Sequence, residues 1–513
     1  MAFCVDGISK KCSFEEALNL SGFGKYNVGM LAACCFHILA MYMDIFGFSV
    51  VLPALACDMN LDTTQQGMLS AIPLIGVLVS SYVWGLCADT VGRRRTLLFA
   101  MPFAFVLSLI ATMAPNYEAL AVLKLFSVSF STSANAAAFV LLAESVPSRH
   151  RNRFMFLMAS ATMVVQFLIC IFALPIFKMS FSIPISWLNM EYRPWRLLLQ
   201  IICLPHGLGT LAMIFLKESP KFLLSKDRNE EALEVLKSIY KSNTGCVKDS
   251  YSVMHVYLDE ETSAPSTETS VVKKVWNQTA PLFKPPLLKN SAILYYLLLC
   301  AYMTSTGFTM FVPTLTNAYF TGEESNLGRT FCEVASTSTS AHKIPSIDCN
   351  HTIQPMALYT TMVYSGASTI LMISLSFVAP YIGKKKMTLL IFIVASLAGT
   401  LLIFIRIPML SIALFFIFLY VAQILANVNT YLVELNPTHL RGMATCLSVV
   451  VARGFGFFSV HIIAGFLGDH CTPMLSGYVI LVMTGFVAAT FLPSDSKTKN
   501  EDRQVVSREA ENP

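Results

Sequence analysis

Long apolar stretches alternate with short breaks of charged, glycine or proline residues along most of the chain. A bilayer core about 30 Å thick is crossed by roughly 20 mostly apolar helical residues, and twelve stretches are close to that length. The pattern therefore predicts an all-α membrane protein with twelve transmembrane helices. The predicted spans lie near 28–52, 68–88, 96–114, 117–140, 154–177, 195–216, 291–313, 357–379, 387–405, 409–432, 443–466 and 474–492.

Composition agrees with this pattern and excludes several classes of protein. Of the 513 residues, 55% are hydrophobic and 13% are charged, whereas soluble globular proteins have about 25% charged residues. The lipid bilayer is therefore the expected partner, and a net charge of +5 gives no reason to expect nucleic acid. The sequence has no metal-ligand cluster, nucleophile elbow or phosphate-binding loop. We expect neither an enzyme nor an ATP-driven pump, and neither a metal nor a cofactor.

The distribution of lysine and arginine predicts the orientation in the membrane. The loops after spans 2, 4, 8 and 10 are basic, and the alternate loops are much less so. Because Lys and Arg are enriched in cytoplasmic loops, we expect segments 1–27, 217–290 and 493–513 in the cytoplasm. Residues 320–356 then form a loop on the extracellular or luminal side.

This outside loop has a glycosylation signal and two cysteines. Asn350 begins an Asn-His-Thr triplet, which is an acceptor for N-glycosylation. Asn277 begins a similar triplet in a predicted cytoplasmic segment and is expected to remain unmodified. Cys332 and Cys349 share the loop and either form a disulfide bond or remain free thiols.

A polar pattern occurs twice along the chain. Glu, Pro and Arg recur with the same spacing in 144–151 and 434–441, which are 290 residues apart. Glycine followed by three basic residues occurs at 92–95 and again at 383–386, which are 291 residues apart. Two pairs with nearly equal offsets indicate a duplicated unit of six spans.

The duplication predicts the domain organisation. We expect an N-terminal half at 28–216 and a C-terminal half at 291–492, as parallel repeats related by an axis along the membrane normal. The segment 217–290 is the linker between them. Within this linker, residues 227–240 are expected to form an amphipathic helix capped by Asp227.

Several stretches resemble a known transporter family. The run Gly-Leu-Cys-Ala-Asp-Thr-Val-Gly-Arg-Arg-Arg at 85–95 resembles the loop signature of the major facilitator superfamily. The stretches 124–151 and 218–224 resemble its sugar-porter-like branch. Further similarity, to the synaptic vesicle glycoprotein 2 family and its relatives, lies at 13–26, 43–44, 51–53 and 194–196.

The resemblance covers nearly the whole chain. It implies two pseudo-symmetric six-helix halves, transport by alternating access, and a place in the plasma membrane or a secretory or synaptic vesicle membrane. Gly47 stands where this branch often has a second acid. The outside loop is also much shorter than the luminal loop of synaptic vesicle glycoprotein 2. These departures indicate a relative rather than the vesicle protein itself.

Charged groups inside a bilayer cost about 2.5–3.5 kcal/mol on insertion scales and often mark function. Asp44 lies within span 1, and His37 lies two turns earlier on the same helical face. Asp44 is either a proton-coupling carboxylate or a structural acid paired permanently with a cation. His37 either takes part in coupling or is a packing and hydrogen-bonding residue.

Two cations lie inside predicted spans. Arg453 in span 11 is always charged and is interpreted as an anchor for an anionic solute or a partner of Asp44, unless it binds helix-end carbonyls. Lys124 in span 4 either contacts solute, binds a counter-charge or extends outward to the interface.

Polar side chains form lines on several predicted spans. Those on the equivalent spans 4 and 10 predict that both lines face one aqueous cavity, although short polar groups also bind helices to one another. Besides Lys124 and Arg453, the candidate contacts to solute are Ser131, Asn135, Gln166, Tyr302, Thr306, Thr309, Gln423, Asn427 and Thr430.

A second set of residues is predicted at the cytoplasmic edge. Ion pairs among them would hold the halves together on that side and separate when the cavity opens inward. The alternative is that these charges only set topology and remain solvated. The set comprises Gly85, Asp89, Gly92, Arg93, Arg94, Arg95, Glu144, Arg151, Glu434 and Arg441.

Together these patterns predict a secondary transporter of a small polar organic solute. The buried cations favour an organic anion, and Asp44 favours H⁺ as the coupling ion. The alternative function is a non-transporting trafficking or regulatory membrane protein of the synaptic vesicle glycoprotein 2 type.

Overall fold

The computed structural model describes residues 10–258, 279–285, 287–321, 328–341, 353–436 and 438–493. Most of these residues are helical. The helices are α1 Phe14–Leu20, α2 Lys25–Asp58, α3 Thr63–Thr90, α4 Arg93–Thr112, α5 Tyr117–Ser131, α6 Ser133–Ser145, α7 Ser148–Met163, α8 Val165–Ile176, α9 Pro194–Ile214, α10 Pro220–Leu224, α11 Asn229–Thr244, α12 Leu288–Thr321, α13 Phe331–Ala341, α14 Pro355–Ile382, α15 Lys384–Phe404, α16 Pro408–Leu419, α17 Ile424–Glu434, α18 Thr438–Phe466 and α19 Cys471–Thr490. The strands are β1 Lys10–Ser13, β2 Ile183–Ile185, β3 Met190–Tyr192 and β4 Val253–Tyr257.

The number of spans agrees with the pattern of apolar stretches. Within the described ranges, eleven helical spans are long and apolar enough to cross a bilayer, or twelve if α7 and α8 form one span. These two helices meet at 43°, with Val164 between them. The predicted membrane protein of about twelve helices is thereby confirmed.

The duplication extends from sequence to backbone conformation. Gly92 and Gly383 directly precede α4 and α15, with φ angles of +116° and +89°, in the region that favours glycine. The predicted fourth span is broken at Thr132, between α5 and α6. The predicted tenth span is broken by a 3₁₀ turn at Tyr420–Gln423, about 290 residues later. Both halves therefore repeat the same turn and the same interrupted helix.

The chain divides into two compact units. The first unit comprises Met1–Val51 and Ile75–Thr267, and the second comprises Leu52–Leu74 and Glu268–Pro513. Inside the second unit, the start of α3 packs closely on α18. A Cβ atom on Gly67 would lie only 2.3 Å from the Cβ of Ala464, so this approach requires glycine.

A small subdomain outside the spans completes the first unit. We name it the strand–helix subdomain; it consists of β1, α1, α10, α11 and β4. β1 and β4 pair in parallel over a buried core that includes Phe14, Leu18, Phe222 and Leu236. Burial raises the pKa of Tyr251, whose hydroxyl therefore stays protonated and donates to the carbonyl of Ala17 at 2.6 Å.

Two expectations in the hydrophilic segments are wrong. Helix α11 begins at Asn229, and Asp227 adopts a φ of +57° instead of capping a helix. Cys332 of α13 forms a disulfide with Cys471 of α19, so it does not pair with Cys349. α13 packs against α19, a long-range contact for which the sequence gives no sign. Cys349 and Asn350 lie outside the described residues.

Candidate functional site

A buried carboxylate organises the polar interior of the first unit. Asp44 of α2 is 2% exposed. Its Oδ1 accepts hydrogen bonds from the Nζ of Lys124 and, at 2.8 Å, from the Oγ of Ser108. Its Oδ2 accepts from the Oγ of Ser127 at 2.7 Å and, more weakly, of Ser131 at 3.5 Å. We call these five residues the Asp44 network; it connects α2, α4 and α5.

The charged pair at its centre is shielded from solvent. The side chains of Lys124 and Asp44 are only 4% and 1% exposed, and the Nζ of Lys124 lies 4.8 Å from the ring centroid of Phe48. A buried pair of this kind is tolerated because each charge is compensated by its partner and by further hydrogen bonds. Neutralising either member would leave the other charge buried without its counter-charge and would change the hydrogen bonds of the whole network.

This arrangement resolves part of what the sequence left open. The cation beside Asp44 is Lys124; the sequence had offered Arg453 as one partner. Lys124 and Ser131, which are candidates for contact with solute, both donate to Asp44 in this structure. The line of polar residues that continues to Asn135 is interrupted by the break at Thr132, and Asn135 is only half-buried.

The remaining candidates of the first unit, Gln166 and His37, are buried but make no hydrogen bond to Asp44 in the structure. Gln166 is buried on α8. His37 is fully buried on α2, as is His206 on α9, and His206 interacts electrostatically with Asp44 and Lys124. Sequence reasoning missed Ser108 and His206, because neither belongs to a repeated motif or to a line of polar residues.

The second unit has its own polar pairs. The Nε2 of Gln423 donates to the Oγ of Ser368 at 2.9 Å, and the Nδ2 of Asn427 donates to the Oγ1 of Thr388 at 3.2 Å. Arg453 is 5% exposed in α18. Among the other candidates of this unit, Tyr302 is half-buried and Thr430 is exposed. Thr306 is buried against Gly456. The Oγ1 of Thr309 lies 3.4 Å from the hydroxyl of Tyr364.

At the predicted cytoplasmic edge, the structure brings three of the predicted charges together. The Nη2 of Arg93 lies 3.2 Å from the Oδ1 of Asp89, and its Nε lies 3.3 Å from the Oε2 of Glu144. Glu144 also accepts a hydrogen bond from Ser219. Arg151 instead binds Glu15 of α1 at 2.7 Å.

Glu218 is a further residue that sequence reasoning missed. Its carboxylate accepts the backbone N–H groups of Arg94 and Arg95 at 2.9 and 3.2 Å, at the N-terminus of α4, where a negative charge is stabilised by the helix dipole. A Cβ on Gly92 would lie 2.6 Å from this carboxylate. The contacts of Arg93, Glu144 and Glu218 thus bind α4 to α6 and to the segment just before α10 within one unit. Ion pairs between the halves at this edge stay a prediction. Gly85 has no neighbour close to its missing side chain, and the side chains of Glu434 and Arg441 are outside the described set.

The chain matches known proteins over most of its length. The family model of the Major Facilitator Superfamily matches residues 34–461. The organic cation/carnitine transporter 7 of Arabidopsis thaliana is 27% identical over 262 residues, covering 50% of this chain and 49% of that protein. The putative transporter svop-1 of Caenorhabditis elegans is 24% identical over 60% of this chain and 54% of that protein. Synaptic vesicle glycoprotein 2B of Rattus norvegicus is 22% identical over 61% of this chain and 48% of that protein.

The chain therefore spans about half the length of the curated relatives that it matches. Among solved structures, the partially occluded inward-open form of the xylose transporter XylE from E. coli superposes with a TM-score of 0.63. It is 15% identical, with 92% of this chain and 100% of that chain covered, so the likeness shows the fold. The predicted resemblance to the synaptic vesicle glycoprotein 2 branch is confirmed. The chain belongs to the major facilitator superfamily and is a multi-pass integral membrane protein.

Proposed function

We propose that this protein is a secondary transporter that moves a small polar organic solute by alternating access and couples it to H⁺ at Asp44. The observation that carries the proposal is the Asp44 network, in which a shielded carboxylate binds one ammonium group and three hydroxyls. The family and the fold favour a carrier over an enzyme.

The pair offers a physical means of coupling. Protonation of Asp44 would remove the negative charge that holds Lys124, leaving a neutral acid beside a buried ammonium group. Because the pair joins α2 to α5, loss of this attraction would weaken the contact between two helices of the first unit. Proton binding would thereby favour one arrangement of the helices. Any ligand that binds two conformations with different affinities shifts the population towards the one it binds better.

An organic anion is the favoured class of solute. This preference rests on the permanent charge of Arg453, which is 5% exposed within the second unit. Amide and hydroxyl groups at Gln423, Asn427 and Thr309 offer neutral hydrogen bonds to the rest of a polar solute.

The test is counterflow in liposomes containing the purified full chain. A panel of carboxylates, sugars and quaternary ammonium compounds would be screened with and without an imposed pH gradient. We expect exchange of at least one carboxylate and its accumulation when the outside is acidic. Absence of exchange for every compound, with the protein still folded, would favour the rival function of a trafficking or regulatory membrane protein.

Replacement of Arg453 by Ala is expected to weaken solute binding by roughly 10- to 100-fold. Charge-assisted hydrogen bonds contribute about 1.5–3 kcal/mol, and each 1.4 kcal/mol is about tenfold in affinity. The measurement is the solute concentration at half-maximal exchange in liposomes. Arg406→Ala, at an exposed position after α15, is the control, and unchanged affinity in Arg453→Ala would contradict the role of an anion anchor.

The orientation is also a proposal, with both termini in the cytoplasm and residues 320–356 outside, in a plasma or vesicle membrane. We expect glycosidase treatment of protein from animal cells to increase its gel mobility, and Asn350→Gln to abolish that change. Asn277→Gln should have no effect. A glycan lost only in Asn277→Gln would reverse the orientation.

A further inference from the structure

Two histidines lie fully buried beside the Asp44 network without a role in the mechanism described so far. His37 and His206 are both 0% exposed. His37 precedes Asp44 by seven residues on α2, which is a rise of about 10 Å along a helix. With the amino terminus in the cytoplasm, as proposed, His37 lies between Asp44 and the cytoplasmic end of α2. His206 lies in the second half of α9, the helix that returns to the cytoplasm.

The hydrogen bond of His206 identifies its tautomer. Its Nδ1 lies 3.2 Å from the carbonyl oxygen of Cys203. A carbonyl oxygen can only accept, so Nδ1 carries the proton in the neutral ring, and Nε2 carries a lone pair. Nε2 is buried and makes no hydrogen bond to any residue that the structure describes. Leaving a buried acceptor unpaired is unfavourable, and this one is an imidazole nitrogen able to bind a proton.

His206 is connected to Asp44 through charge and through its neighbours. It interacts electrostatically with both Asp44 and Lys124. One turn earlier on α9, the Sγ of Cys203 donates to the Oγ of Ser108 at 3.2 Å, and Ser108 in turn donates to Asp44 at 2.8 Å. A small cavity whose lining includes Asp44, Ser108, Lys124 and Cys203 has room for about one water molecule.

His37 continues the same line. Its ring lies directly over Gly209, the residue one turn after His206; a Cβ at this position would be 2.9 Å from the Nδ1 of His37. His37 interacts electrostatically with His206. Neither of its ring nitrogens makes a hydrogen bond within the described residues, so the ring keeps one free donor and one free acceptor inside the helix bundle.

We propose that His206 accepts the proton that leaves Asp44 and that His37 receives it next, on the way to the cytoplasm. The inference rests on the proposed coupling at Asp44. The O–H bond of the Asp44 carboxylic acid breaks, and an N–H bond forms at the Nε2 of His206. The new imidazolium is attracted by the Asp44 carboxylate and repelled by the Lys124 ammonium. That repulsion favours transfer to His37: the Nε2–H bond of His206 breaks, an N–H bond forms at the unprotonated ring nitrogen of His37, and His206 is neutral again.

The test compares proton transfer in variants of the full chain in liposomes. Pyranine inside the liposomes reports acidification when a panel solute and a pH gradient are applied outside. We expect His206→Gln to slow acidification about tenfold while counterflow stays near the wild-type rate. His206→Glu, whose side chain can carry a proton, should restore much of the acidification. His461→Gln, a substitution in α18 of the second unit, is the control. A role in packing alone would predict that Gln is tolerated at least as well as Glu.

The outcomes separate this inference from the proposed function. If wild type and Asp44→Asn acidify equally, coupling at Asp44 is wrong. If Asp44→Asn does not acidify the liposomes but His206→Gln acidifies them at the wild-type rate, only the relay is wrong.

The role of His37 has its own test. Gly209→Ala, which displaces the His37 ring without removing a titratable group, should slow acidification as His37→Gln does. Unchanged rates in both variants would overturn the role of His37. Nitrogen NMR of ¹⁵N-histidine-labelled wild-type protein provides a measurement that needs no variant to fold. A proton on Nε2 of neutral His206 would contradict the proposal.

Discussion

Asp44→Asn is expected to abolish accumulation of solute against its gradient while leaving exchange partly intact. An amide cannot bind and release a proton, so the energy of the pH gradient can no longer be transferred to the solute. Exchange needs only that the loaded carrier changes conformation. The amide oxygen of Asn can still accept a hydrogen bond from Ser108, and its N–H can donate to the Oγ of Ser127. We therefore expect a loss of at least about a hundredfold in gradient-driven uptake, a range typical for removing an essential proton-transfer group.

The measurement is uptake into liposomes with an acidic outside, beside counterflow at equal pH. Glu118→Gln makes the same chemical change at an exposed acid of α5 and should behave as wild type. Equal accumulation by Asp44→Asn and wild type would remove Asp44 from coupling.

Lys124→Met is expected to destabilise the first unit strongly. It leaves the Asp44 carboxylate without its cation in a site where both side chains are almost completely buried. Removing one member of a buried ion pair costs about 3–5 kcal/mol, and replacing both members by neutral groups is often much less costly. The double variant Asp44→Asn with Lys124→Met should therefore be more stable than Lys124→Met alone.

A double-mutant cycle measures this coupling directly. The apparent thermal unfolding midpoint of purified protein in detergent would be followed for wild type, both single variants and the double variant. Lys226→Met, at an exposed position after α10, should leave the midpoint unchanged. Additive effects of the two substitutions would show that the two side chains do not stabilise each other.

The sequence predicts the membrane spans well because the bilayer imposes their length and apolar character. It does not predict their interruptions. The breaks at Thr132 and at Tyr420–Gln423 occur in stretches whose length and mean hydropathy are those of one continuous span. Only the backbone shows that they recur at the same place in the repeat.

The candidate site is predicted in part. Buried charge is conspicuous in an apolar span, which is why Asp44, Lys124 and Arg453 could be identified. Which cation pairs with Asp44 depends on the rotation and depth of α2 and α5, and the positions of residues along the sequence do not give those. Ser108 and His206 join the site only through helix packing. The Cys332–Cys471 bond likewise depends on a contact across 139 residues.

The parallel pairing of β1 with β4 has a consequence for biosynthesis. Ser13 cannot meet its partner Tyr257 until the ribosome has made everything between them, which at about 5–20 residues per second takes roughly 10 to 50 s. During that time β1 has no strand to pair with. Translation thus completes the helices of the first unit before β1 can pair, and a stall or truncation upstream of β4 would leave β1 open to proteases.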